Sequence, residues 1–158
     1  MNKKGLLIFA IAGLAVLLAS AALYAASTFP DVIKLNDNYE HTKGIVEFSH
    51  AKHSTEYKAS CGDCHHDANN KPLNNLKKGD DVKKCIECHK KPGEVPRDVK
   101  KEWRQKKIKR AEQKKLELED HAEALHENCR ECHKEHNKKN KTKAAPTTCT
   151  KCHPKVKK

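Results

Sequence analysis

Aromatic and large aliphatic side chains are scarce in this sequence. Aromatic residues make up 4% of the 158 residues and charged residues make up 34%. Beyond residue 26 there is no long apolar run, and leucine, isoleucine, valine and phenylalanine are few. This composition excludes an ordinary hydrophobic core and is typical of disordered chains. Residues 27–158 are therefore either disordered or folded around an interior that side chains do not supply.

The single long apolar run lies at the N terminus. Lys3 and Lys4 precede the uncharged residues 5–26, which end in the small residues of "LASAALYAAS". This pattern is typical of a secretory signal peptide, but its length also approaches the ~20 residues that span a bilayer. We therefore predict that residues 1–26 are a signal peptide or an inner-membrane anchor formed by residues 5–26. Both alternatives predict that residues 27–158 form one exported, periplasmic domain.

All eight cysteines fall into four C-x-x-C pairs, and a histidine follows each pair directly. The C-x-x-C-H sequence is the attachment signal for c-type haem, in which the histidine ligates the iron. A disulfide scaffold or a zinc ribbon also uses paired cysteines, but neither explains the four histidines. We therefore predict four covalent haems, which would supply the missing apolar interior. The predicted attachment residues are Cys61, Cys64, Cys85, Cys88, Cys129, Cys132, Cys149 and Cys152.

The second axial ligand of each haem cannot be methionine, because the single methionine is Met1. Seven of the 11 histidines do not follow a cysteine pair, and four of them would make every haem bis-histidine. Such six-coordinate haems suit electron transfer and leave no iron position open to a substrate. The sequence thus predicts an electron carrier rather than an enzyme. The seven histidines are His41, His50, His53, His66, His121, His126 and His136.

The stretches "VEFSHAKH", "CGDCHHD", "CIECH", "ALHENCRECH" and "CTKCH" resemble the class III cytochromes c. These are small tetrahaem periplasmic carriers of sulfate-reducing bacteria, with trihaem relatives in metal-reducing bacteria. The resemblance covers residues 31–93 and 121–154, and it includes the H-x-x-H pair and the doubled histidine around the first haem site. It implies low-potential electron transfer between redox partners in anaerobic respiration such as sulfate reduction.

The resemblance also implies a set of axial pairs and one aromatic neighbour. Phe48 corresponds to the family's aromatic residue between the first and third haems. His126 fits best as the second ligand of the fourth haem, with His121 as the alternative, and His41, His121 and His136 are otherwise expected to be exposed. The implied pairs are His50 with His65, His66 with His89, His53 with His133, and His126 with His153.

The local sequence pattern predicts a mostly α-helical and irregular chain wrapped around the haems. Residues 31–35 and 44–48 favour a short β-hairpin, and residues 49–93 favour short helices and loops. Residues 97–128 lack glycine and proline and are rich in helix formers. We therefore predict one long helix at about 97–127, within an insertion at 94–127.

The net charge of +12 points to acidic partners. The resemblance implies that hydrogenase or a membrane redox complex docks at the lysines around the last haem site. Haem propionates would lower the positive charge, so we expect no nucleic-acid partner. A membrane contact is expected only if the N-terminal segment stays uncleaved. The alternatives are a membrane-anchored or filament-forming multihaem relay and, less favoured by the surplus of histidines, a multihaem reductase.

Overall fold

The computed structural model describes residues 30–155. The predicted signal peptide or membrane anchor at residues 1–26 lies outside the described residues. Within residues 30–155, no helix has the length and apolar character needed to cross a membrane.

The chain enters through the predicted β-hairpin. Strand β1 (Ile33–Lys34) pairs antiparallel with β2 (Glu47–Phe48), and Ile33 lies opposite Phe48. The Leu35 N–H extends the pairing by donating to the Val46 carbonyl at 2.9 Å. Helix α1 (His50–Thr55) begins two residues after β2. The hairpin is therefore confirmed, and it leads directly into α1, which carries His50 and His53.

The helices beyond α1 are mostly short, and they are centred on the cysteine pairs and the insertion. A 3₁₀ turn at Cys61–Asp63 begins at the first cysteine pair. The helices are α2 (Cys85–Cys88), α3 (Arg97–Gln105), α4 (Arg110–Glu117), α5 (His121–Lys139) and α6 (Cys149–Cys152). The mostly helical character matches the prediction.

The prediction of one continuous helix over residues 97–127 is wrong. The chain breaks after α3, where Lys107 adopts a left-handed φ of +52°. It breaks again before α5, where the Lys91 N–H donates to the Glu119 carbonyl at 3.1 Å and the His121 N–H donates to the Lys91 carbonyl at 2.7 Å. At the second break, backbone groups of Glu119 and His121 form hydrogen bonds with Lys91, which lies 28 to 30 residues earlier. Local helix propensity cannot predict hydrogen bonds of this kind.

The described residues bury few apolar side chains. Val95 and Ala124 are the buried apolar residues within 30–155, at 5% and 9% exposure, and Asp120 and His121 are the buried polar ones. Ion pairs join α3 and α4 to α5, with Lys100 2.5 Å from Glu123 and Lys114 2.5 Å from Glu127. Residues 30–155 thus contain few buried apolar side chains, as the composition predicts.

Candidate haem-binding sites

Each C-x-x-C-H sequence is wound into about one turn of helix. The N–H of His65 donates to the Cys61 carbonyl at 2.8 Å, and His89 and His153 bond in the same way to Cys85 and Cys149 at 2.9 and 2.7 Å. The third sequence lies inside α5. Residues three and four apart share one face of a helical turn. Both cysteines and the histidine of each sequence can therefore address one bound group.

The cysteines of the four C-x-x-C-H sequences are unpaired, and at two of them ionisation of the thiol is disfavoured. All eight lie in the described part of the chain, and all are free thiols. Burial, with a smaller contribution from neighbouring thiols, raises the pKa of Cys64 and of Cys129 to about 11. A reactive or metal-binding thiolate needs a lowered pKa. Four pairs of free thiols, each followed directly by a histidine, fit the covalent attachment of a porphyrin.

The structure brings the histidines together in four facing pairs. Each pair combines the histidine of one C-x-x-C-H sequence with a histidine from elsewhere, and these are the pairs that the resemblance implies. Two imidazoles on opposite faces of one metal ion have ring centres roughly 6 Å apart, because each metal–nitrogen bond is about 2 Å. The ring-centre distances are 6.2 Å for His50–His65, 6.0 Å for His66–His89, 6.1 Å for His53–His133 and 6.2 Å for His126–His153.

Backbone carbonyls orient five of these eight rings. A carbonyl only accepts hydrogen bonds, so a ring nitrogen that contacts one carries the proton. Each contact uses Nδ1, which leaves the Nε2 lone pair free to bind a metal, an arrangement common among metal-binding histidines. The acceptors are Ser49 for His53 at 2.9 Å, Asp67 for His66 at 2.8 Å, Pro146 for His133 at 2.6 Å, Gly44 for His153 at 2.8 Å, and Leu118 for His89.

Phe48 lies between the first and third histidine pairs. Its ring centre is 5.8 Å from that of His50 and 4.6 Å from that of His53. The side chain is half-buried at the end of β2. The hairpin therefore positions an aromatic ring between two of the candidate sites, where the resemblance implies one.

The expectation of exposure is wrong for His121. This side chain is 2% exposed, its Nδ1 accepts a hydrogen bond from the Tyr39 hydroxyl at 3.0 Å, and its Nε2 lies 3.6 Å from an Asp37 carboxylate oxygen. Burial lowers the pKa of His121, partly opposed by Asp37. Since Tyr39 and Asp37 lie more than 80 residues away, sequence reasoning could not place them. It is His126, and not His121, that faces His153.

The other two unassigned histidines differ from each other. His41 is half-buried rather than exposed, because its ring stacks on Tyr39 at 4.5 Å and its Nε2 contacts the Asp37 carbonyl at 2.9 Å. His136 is exposed near the end of α5, as expected. Tyr39, Asp37 and His121 thus form a polar cluster that contains none of the eight paired histidines but lies near the second site, since His89 contributes to the electrostatics of His121.

Two contributors to the sites were not predicted. A Glu94 carboxylate oxygen lies 3.5 Å from Nδ1 of His126. The Gly44 carbonyl accepts the hydrogen bond from His153. Gly44 lies so close to the C-terminal segment that an added Cβ would be 2.1 Å from the Pro154 carbonyl oxygen. A glycine in a loop can have several structural roles, so Gly44 could not be assigned to a site from the sequence. No motif in the sequence marks Glu94 as a site residue. Both residues depend on contacts between distant parts of the chain.

Comparison with known proteins agrees with the geometry. The model of the class III cytochrome C family matches residues 27–153. The chain belongs to this family, and it is accordingly a multihaem electron-transfer cytochrome with covalently bound haem. Neither the curated proteins nor the solved structures contained a significant match.

Proposed function

We propose that this protein is a periplasmic tetrahaem electron carrier with four bis-histidine haems. The observation that carries the proposal is the set of four histidine pairs with ring centres 6.0–6.2 Å apart. Every C-x-x-C-H histidine takes part in one pair, so the count of attachment sequences and the count of ligand pairs agree.

The chain's own residues would hold each haem from both sides. When bound, haem supplies a one-electron iron couple whose potential depends on the axial ligands and their surroundings. The cysteines would attach the porphyrin covalently, and the paired imidazoles would ligate the iron while backbone carbonyls hold five of the imidazole rings in orientation. With two imidazoles on each iron, a substrate would find no free coordination position, which favours a carrier over a reductase.

Two short stretches connect neighbouring sites. His65 and His66 are adjacent in sequence yet belong to the first and second pairs, and His50 and His53 on α1 belong to the first and third pairs. Two ligands on so short a piece of backbone would keep their haems close together. Close spacing of this kind is what electron transfer within one small protein requires.

The partners we propose are redox proteins with acidic surfaces, such as hydrogenase or a membrane redox complex, in anaerobic respiration such as sulfate reduction. Opposite charges on two partners raise their association rate in a salt-dependent manner. Exposed lysines are frequent on the end of α5, in the loop after it and on α6, which is the part of the chain that leads to and carries the fourth C-x-x-C-H sequence. They are Lys134, Lys138, Lys139, Lys141, Lys143, Lys151 and Lys155.

The intact mass of the purified protein tests the cofactor count and the localisation together. We expect the mass of a chain that begins near Ala26 plus four haems. A mass that still includes the N-terminal segment would favour a membrane-anchored relay over a diffusible carrier. Fewer than four haems would contradict the proposal.

Two further measurements separate the carrier from its alternatives. We expect a carbon monoxide difference spectrum without a bound-haem signal, because every iron would be six-coordinate. Carbon monoxide binding at one haem would favour a reductase. Gel filtration should give a monomer at both low and high salt, whereas self-association would favour a filament-forming subunit.

A further inference from the structure

The fourth histidine pair has a carboxylate close to one of its imidazole rings. Five of the eight paired histidines bond through Nδ1 to neutral backbone carbonyls. Nδ1 of His126 instead lies 3.5 Å from a carboxylate oxygen of Glu94. A charged group therefore lies beside the imidazole nitrogen at which other paired histidines contact neutral carbonyls.

The fold fixes the position of Glu94 on both sides. The preceding residue, Gly93, accepts a hydrogen bond from the Ala122 N–H at 2.9 Å, and the following residue, Val95, is 5% exposed. Ala122 lies on the first turn of α5, and His126 is four residues further along the same helix. Residues four apart lie on one face of a helix. The backbone bond at Gly93 thus places Glu94 beside the face that carries His126.

The contact is partly open to solvent. The His126 side chain is 32% exposed and that of Glu94 is 59% exposed. The separation of 3.5 Å exceeds the ~2.9 Å of a direct N–H···O hydrogen bond, so the carboxylate acts mainly through its charge. A charge at this distance is well inside the Debye length of about 8 Å at physiological ionic strength. Added salt should therefore weaken the contact much less than it weakens the effect of remote charges.

A negative charge beside the imidazole nitrogen that does not bind the metal raises the electron density of the ligand. A stronger donor stabilises the oxidised iron relative to the reduced iron, and the negative charge acts in the same direction. We propose that Glu94 lowers the reduction potential of the fourth haem through His126. The proposal rests on the bis-histidine ligation proposed above, and it makes Glu94 a positioning and tuning residue rather than a ligand.

The test compares three holoprotein variants by a redox titration in which NMR resolves each haem. Glu94→Gln keeps the shape and removes the charge, and it should raise the midpoint potential of one haem while the other three stay unchanged. Glu94→Asp keeps the charge and should return that potential toward the wild-type value. Glu112→Gln removes the same charge from an exposed position on α4 and should shift no single haem. The shifted haem is identified by its NMR contacts to residues around Cys149 and Cys152.

The salt dependence supplies the second readout. The Glu94→Gln shift should survive between about 0.01 and 0.15 M salt, over which the Debye length falls from about 30 to about 8 Å. An unchanged fourth haem, an equal shift of all four haems, or a shift that vanishes at the higher salt would each overturn the proposal. The proposed ligation is judged separately, on the wild type. If its spectrum shows four low-spin haems, the ligation stands, whatever the Glu94 variants do.

Discussion

His66 has a different role from the histidine beside it, although both follow the same cysteine pair. Its ring faces His89, which belongs to the second C-x-x-C-H sequence, at 6.0 Å, whereas the ring of His65 faces His50 at 6.2 Å. The doubled histidine would therefore connect two haem sites. Neighbouring side chains on an extended backbone point to opposite sides, which allows this division.

Replacing His66 should consequently affect the second haem and not the first. We expect His66→Ala to convert one haem in four to a high-spin form that binds carbon monoxide. Electron paramagnetic resonance counts the high-spin haem, and NMR identifies it through the residues around Cys85 and Cys88. His136→Ala, at an exposed position, is the control and should leave all haems low-spin. A high-spin signal from the haem at Cys61 and Cys64 would contradict the pairing.

The buried cluster around His121 predicts a pH dependence of stability. Burial lowers the pKa of His121 in the folded protein below its ordinary value of 6.5. As the pH falls through 6.5, the unfolded chain binds a proton that the folded chain does not, so the free energy of unfolding decreases. The decrease ends below the lowered pKa of the folded state, and above pH 6.5 this histidine has no effect.

Denaturant unfolding of the holoprotein between pH 7.5 and 5 measures this contribution. The wild type should lose more stability over that range than His121→Gln, which keeps a polar side chain but cannot titrate. The matched variant His136→Gln should lose as much free energy of unfolding between pH 7.5 and 5 as the wild type. An equal loss in the wild type and in His121→Gln would show that His121 does not contribute.

At the scale of the elements, the closest approach joins the β-hairpin to the end of the chain. The Gly44 carbonyl accepts from Nδ1 of His153 at 2.8 Å. A Cβ at residue 44 would lie 2.1 Å from the Pro154 carbonyl oxygen, which is backbone and cannot turn away. The absence of a side chain at this position is therefore a requirement of the fourth site.

Gly44→Ala should separate these two segments. We expect a loss of about 1–3 kcal/mol in the free energy of unfolding, as for other overpacked sites, together with a changed NMR spectrum of the fourth haem. Denaturant unfolding of the holoprotein measures the first effect. Thr42→Ala, two residues earlier and exposed, should change neither quantity. A Gly44→Ala protein with wild-type stability would mean that the hairpin and residue 154 are not in contact.

Local sequence patterns predicted the type of each secondary-structure element better than the residues at which it begins and ends. The two strands of the hairpin were predictable because β-branched residues flank a turn-forming stretch. The insertion was predictable as helical, but not as three helices, because its second break depends on hydrogen bonds with Lys91. A backbone partner 28 residues away leaves no trace in helix propensity.

On the scale of the whole molecule, the scarcity of buried apolar side chains among residues 30–155 predicts that folding depends on the haem. Within the described residues, Val95 and Ala124 are the buried apolar side chains, which is too little apolar burial to offset the conformational entropy of a chain of this size. Residues 27–158 produced without haem attachment should therefore be unfolded. Far-ultraviolet circular dichroism should show little helix and no cooperative thermal transition. A helical, cooperatively melting apoprotein would contradict this expectation.

The sequence by itself indicated the family, to which the chain belongs, and it predicts the attachment chemistry and a non-protein interior, because C-x-x-C-H and composition are local properties of the chain. The resemblance also implied the four histidine pairs, and in the structure the ring centres of each pair lie 6.0–6.2 Å apart. Only the tertiary structure decided that His121 is buried beside Tyr39, that the insertion folds as separate helices, and that Glu94 lies next to His126. The position of His121, the second break of the insertion and the position of Glu94 depend on contacts between segments far apart in sequence, which neither spacing nor propensity encodes.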